Sequence, residues 1–171
     1  MRKLWLLLLL SPMLLMGQKN YPVPQPSQGA AQSSAEQERA LGEQQRKQLQ
    51  QAIKHVLVSQ VEAWNHGQLE EFMNGYWRSP DLTFYSGATV TKGWEPTLER
   101  YRQRYQSGGK EMGHLDFQDL EIDLLSRRSA VVTGKWQLTM KDGKKPHGLF
   151  TLIFKRLPEG WRIVHDHTSA E

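Results

Sequence analysis

Residues 114–169 carry four successive β-prone runs, HLDFQDLEIDLL, SAVVTGKWQLTM, HGLFTLIFKRL and GWRIVHDHTS, and this pattern constrains the fold more than any other feature. The connections SRR, KDGKKP and PEG are far too short for the crossover that parallel neighbours need, so consecutive runs pair as an antiparallel meander. Alternation assigns the faces. In the second run Ala130, Val132, Gly134, Trp136, Leu138 and Met140 share the inward side, and Phe150, Leu152 and Phe154 form the matching row of the third. In the first, Phe117 falls out of step with Leu120, Ile122 and Leu124, which predicts a bulge near Gln118 and a bend in the sheet.

Upstream the period lengthens. Leu49, Ile53, Val56, Leu57, Gln60, Val61 and Trp64 recur at helical spacing along one face, and Gly67 stands where a left-handed C-cap belongs. A short second helix follows in QLEEFMNGYW. DLTFYSGATVTKG reads as a hairpin turning at Ser86-Gly87. A third helix carries Trp94, Leu98, Tyr101 and Tyr105, with Pro96 in its first turn and Ser107-Gly108-Gly109 at its end. Helices that pack on the concave side of a bent antiparallel sheet make an α+β cone.

The first residues, MRKLWLLLLLSPMLLMG, pair a basic start with an apolar run of about 13 residues, the outline of an export signal over residues 1–17 and shorter than a stable span needs. The expected setting is therefore periplasmic or secreted, with no stable membrane anchor. LLMGQ has Gln18 where a lipid-bearing Cys would stand, so lipidation is excluded. Residues 18–35, rich in Pro, Gln, Ser and Ala, read as a disordered linker, and residues 36–171 as one domain with its core over 49–169.

Composition narrows the chemistry. A chain of 171 residues with 38% hydrophobic content supports one core. Lys plus Arg number 22 against 18 acids, mixed along the chain, which argues against nucleic-acid binding. Without cysteine there is no disulfide, thiolate metal site or cysteine nucleophile.

VEAWNHGQLEEFM, VTKGWEPTLERY and GLFTLIFKRLPEGWRIVHDHTS, in that order and spacing, resemble the nuclear-transport-factor-two-like superfamily, in particular its SnoaL-like small domains. The ending GWRIVHDHTS is also similar to the closing strand of the association domain of calcium/calmodulin-dependent protein kinase II. The resemblance covers residues 49–169. It implies a cone-like curved antiparallel sheet packed on three N-terminal helices, a pocket between helices and sheet, and a homodimer through the outer sheet face. It implies no single activity, because this fold serves isomerases, cyclases, epoxide hydrolases, dehydratases and non-catalytic modules.

Strict alternation along the last strand places Trp161, Ile163, His165 and His167 inward, and Arg162, Val164, Asp166 and Thr168 outward, where Asp166 can pair with Arg162. The expected ligand-binding residues are Trp64, Tyr76, Tyr85, Trp94, Tyr101, Trp136, His165 and His167, around a small organic molecule. His165, His167 and Tyr85 are the candidate acid/base groups should the domain be catalytic. His114 or His147 could join a metal site, but no inward carboxylate is expected beside the histidines, so neither metal nor cofactor is predicted. The isomerase pattern of an inward Asp with Tyr in an oxyanion hole is likewise not expected, because Asp116, Asp119 and Asp123 fall outside or at the bulge. A third reading is a non-catalytic dimerisation module.

Overall fold

The structure, a computed structural model, describes residues 28–170, with side chains from residue 42 onward. The proposed export signal and residues 18–27 of the proposed linker lie outside the described residues. The domain lies in the compact unit that begins at Glu38.

Helix α1 (Gln28–Asn65) begins earlier than the composition suggested, inside the segment read as linker. Ala30, Ala31 and Ala35 are strong helix formers, and nothing after Gln28 breaks the helix. Ile53, Leu57, Gln60 and Trp64 are buried along one face of α1, while residues 42–48 are exposed. The helix ends in a Schellman arrangement: Gly67 adopts φ 73°, its N–H donates to the Trp64 carbonyl, and Gln68 N–H donates to that of Ala63. Helix α2 (Leu69–Met73) starts at once and buries Leu69, Phe72 and Met73.

Strands β1 (Thr83–Ser86) and β2 (Thr89–Lys92) form the expected hairpin, and α3 (Trp94–Tyr105) has Pro96 in its first turn. A 3-10 turn at Ser107–Gly109 leads into β3 (His114–Leu124), β4 (Ser129–Thr139), β5 (His147–Leu157) and β6 (Gly160–Thr168). The strand order is β2-β1-β6-β5-β4-β3. The last four strands are the predicted meander. The sheet as a whole is mixed rather than purely antiparallel, because β1 pairs parallel to β6, with β2, α3 and the other three strands of the meander between them in sequence.

The β3 bulge is present. Pairing shifts between Gln118 and Glu121, and Asp119 takes φ 52°. Opposite it, Gly134 has no room for a side chain: a Cβ would stand 2.6 Å from Phe150 Cζ and 2.9 Å from Leu120 Cδ2. Ala130, Val132, Leu138, Phe150, Leu152 and Phe154 are buried on the inner face, as the alternation required. Among the described residues no helix is long and apolar enough to cross a membrane.

Candidate functional site

The site begins with a second bulge, on β6. Phe154 pairs with Ile163 but the preceding residue of β5, Ile153, pairs with His165, so Val164 is an extra residue on β6. Trp161 and Ile163 point inward as alternation predicts, at 5% and 1% exposure. Beyond Val164 the phase reverses. Asp166 turns into the domain at 3% exposure, while His165 is half-buried and His167 exposed, both off the inner face. The inward placement of the histidines is thus corrected, and so is the outward pairing of Asp166 with Arg162.

Backbone pairing brings a partner to Asp166. The segment after α2 runs beside β6, with Ile163 N–H donating to the Gly75 carbonyl and Trp77 N–H to that of Ile163. Gly75 leaves room there for the Gln60 side chain, since a Cβ would fall 2.5 Å from Gln60 Cδ and would have to displace it. Gln60 in turn donates from Nε2 to the Phe72 carbonyl. This path fixes Tyr76, whose hydroxyl donates to Asp166 Oδ2 at 2.7 Å, while Thr168 Oγ1 donates to Oδ1 at 2.7 Å. Burial raises the Asp166 carboxyl to about 6, against the two hydroxyl donors and His167, which favour the ionised form. Burial and the Asp166 charge hold Tyr76 and Tyr101 above the ordinary phenol range, so both phenols stay protonated near neutrality. The arrangement is a carboxyl that can gain or lose a proton near pH 6, fixed by a phenolic donor.

Around this pair lies a cavity of about 90 Å³. That exceeds by several-fold the room one water needs, about 10–15 Å³. Its walls are Trp64 and Phe72, Phe84 and Tyr101, and Leu115, Phe117, Trp136, Leu138, Phe150 and Leu152 from the sheet. The rings lock one another: Trp64 meets Phe72 edge-on at 5.1 Å and Tyr101 stacks on Phe84 at 5.5 Å. The indole N–H groups are satisfied on backbone carbonyls, Trp64 on Gly113 and Trp136 on Ser169, leaving ring surface for the cavity. Buried lining residues form the floor, and the exposed Arg104 and Ala170 mark the open end, with half-buried Arg100 beside them.

Of the residues expected to bind ligand, Trp64, Tyr76, Tyr101 and Trp136 line the cavity. Tyr85, Trp94, His165 and His167 do not. Tyr85 lies on the outer face, its ring 5.1 Å from that of His165 and 6.0 Å from that of His167, and His165 Nδ1 is 2.6 Å from Thr83 Oγ1. Trp94 is buried elsewhere, donating to the Met73 carbonyl with Arg78 over its ring. His114 and His147 are exposed, and no group of three metal-ligating side chains occurs among the described residues. Sequence reasoning missed Asp166, Arg100, Arg104, Phe72 and Phe84. The two arginines were detectable, since positions 100 and 104 border the Tyr101–Tyr105 face of α3; Gln60, a polar residue within an apolar stripe, also marked a special position.

Residues 53–171 match the family model of the SnoaL-like domain. No curated protein matches the chain. Among solved structures, an NTF-2-like protein of unknown function from Shewanella oneidensis MR-1 is 36% identical, with a TM-score of 0.65 over 70% of this chain and 98% of its own. A nuclear transport factor 2-like superfamily protein from Salmonella enterica serovar Typhimurium LT2 is 20% identical, with a TM-score of 0.60 over 72% of this chain and 92% of its own. A candidate calcium/calmodulin-dependent protein kinase II association domain from Xanthomonas campestris shares the fold at 18% identity and a TM-score of 0.55, over 70% of this chain and 85% of its own. With the family model spanning the end of α1, α2, α3, the bulged sheet and the cavity, this chain belongs to the SnoaL-like family of the NTF2-like superfamily.

Proposed function

We propose that this domain binds a small organic molecule in the aromatic cavity and grips one of its oxygen atoms with the Tyr76–Asp166 pair. The observation that carries this reading is a carboxyl at 3% exposure, bonded to a phenol, at the floor of a chamber walled mainly by aromatic and aliphatic side chains. A buried polar pair in such surroundings fixes a ligand's orientation, while the rings supply contact area. Tryptophan fluorescence tests it, since Trp64 and Trp136 both line the cavity. Acetophenone and phenol should quench it saturably, and Tyr76→Phe should weaken that binding by about 1–3 kcal/mol. Binding that is indifferent to both Tyr76→Phe and Asp166→Asn would refute the role given to the pair.

A second reading, acid/base catalysis, is favoured by the carboxyl held at about 6, where a general acid or base works near neutrality. In this reading Asp166 takes the role that the sequence offered to His165 and His167. Export is supported by the basic, apolar first residues, and fractionation of cells carrying the tagged full chain tests it. Half-buried Val131 and Ile153 on the outer sheet face, with exposed Leu149, support self-association there, which sedimentation would test.

A further inference from the structure

The three arginines of α3, with Arg78, which reaches Glu95 on that helix, divide into two kinds. Arg78 and Arg102 face away from the cavity and are ion-paired, Arg78 with Glu95 at 3.7 Å and Arg102 with Glu70. Arg100 and Arg104, one helical turn apart, line the cavity, and among the described residues neither forms a salt bridge. They are held instead by uncharged groups. Arg100 donates to Thr91 Oγ1 at 2.9 Å and lies 5.2 Å from the Phe84 ring centroid, and Arg104 lies 5.6 Å from that of Tyr105. The nearby acids of α3 are engaged elsewhere, Glu95 with Arg78 and Glu99 with Gln103 Nε2 at 3.0 Å.

A guanidinium stacked on a ring and pinned by one hydroxyl keeps its other donors, pre-ordered for a planar anion. Half-buried Arg100 and exposed Arg104 stand at the open end, whereas Asp166, the cavity's acidic group, lies at the floor. The cavity is therefore polarised: cationic at its entrance, aromatic along its walls, and hydrogen-bonding at its base. We propose that its ligands are small aromatic carboxylates, with the ring between the aromatic walls and the carboxylate met by Arg100 and Arg104. The inference rests on the cavity being a ligand site. It adds the charge of the ligand and the end at which that charge sits.

The test uses the full chain and matched probes: benzoate, phenylacetate and 3-phenylpropionate, each against its amide, titrated by tryptophan fluorescence at low salt. At least one acid should bind about tenfold or more tightly than its amide, the gain from replacing a neutral acceptor by a charged one facing two guanidinium groups. The double variant Arg100→Gln/Arg104→Gln should bring acid and amide to within about twofold of each other, while Arg102→Gln, on the outer side, should keep the preference. Equal binding of acid and amide by the unmodified protein overturns the proposal and leaves the cavity as a ligand site. A preference that survives in the double variant overturns the assignment to these arginines. No saturable response to any acid or amide overturns both this inference and the cavity reading beneath it. The comparison on the unmodified protein decides the anion question even if the double variant fails to fold.

Discussion

Two strands of this sheet carry one extra residue each, and each bulge decides where an aspartate goes. On β3 the shift lies between Gln118 and Glu121, and Asp119 reaches solvent, where Lys135 Nζ meets it at 2.8 Å. On β6 the extra residue is Val164, and two positions later Asp166 is turned beneath the helices to meet Tyr76 and Thr168. The same backbone device thus yields a surface ion pair worth little in one case and a buried titrating group in the other. What separates them is the inner face at each point: half-buried Leu120 beside the β3 bulge, but fully buried Phe154 and Ile163 beside the β6 bulge.

That contrast can be broken first through packing. Phe154→Ala should cost about 3–5 kcal/mol in denaturant unfolding, and Leu120→Ala only about 1 kcal/mol, because its site can relax toward solvent. Comparable losses would mean that the two bulges are equally supported.

The next effect is electrostatic. The folded carboxyl of Asp166, at about 6, lies above its unfolded value of about 3.9, so the folded state holds this proton more tightly. Its contribution to stability is complete below the unfolded value and is lost as pH rises to about 6, on the order of 3 kcal/mol in all. Asp166→Asn should flatten stability across that interval. The groups acting on Asp166 are Tyr76, Thr168 and His167. Retention of the slope in Asp166→Asn would assign it to another group.

Tyr76→Phe sharpens the comparison further. Removing a hydroxyl that bonds a buried carboxyl should destabilise the protein by about 1–3 kcal/mol near neutral pH. It should also raise the Asp166 carboxyl further, because a donor favouring the charged form is gone. The smallest effect belongs to His167→Ala: on an exposed outer position it should change stability by no more than about 0.5 kcal/mol and leave ligand binding intact. A loss of binding there would return the histidine to the site.

The two bulges also explain how far the sequence could be read. The β3 bulge was legible because apolar residues stand on both sides of it, so Phe117 falling out of phase with Leu120, Ile122 and Leu124 exposes the slip. After Val164, however, the strand reads His, Asp, His, Thr, and no apolar residue remains to register the change of phase. Alternation carried across that gap put both imidazoles in the cavity and the carboxylate outside. The helix faces and the meander were legible because each repeats over several residues, and the Gly67 cap and the hairpin because their turn residues mark them; of the eight residues expected to bind ligand, four line the cavity. The Tyr76–Asp166 contact was not, since it joins residues 90 apart in sequence through the pairing of Gly75 and Trp77 with Ile163.

The central claim is that Asp166, rather than the histidines beside it, is the titrating group of the cavity. Carbon-13 NMR of the aspartate carboxyl carbons, followed with pH in the unmodified protein and in Tyr76→Phe, measures this directly. The account predicts one aspartate resonance with a midpoint near 6 that disappears in Asp166→Asn and moves upward in Tyr76→Phe. A midpoint for Asp166 near the ordinary value of about 3.9, unmoved by loss of the Tyr76 hydroxyl, would contradict it.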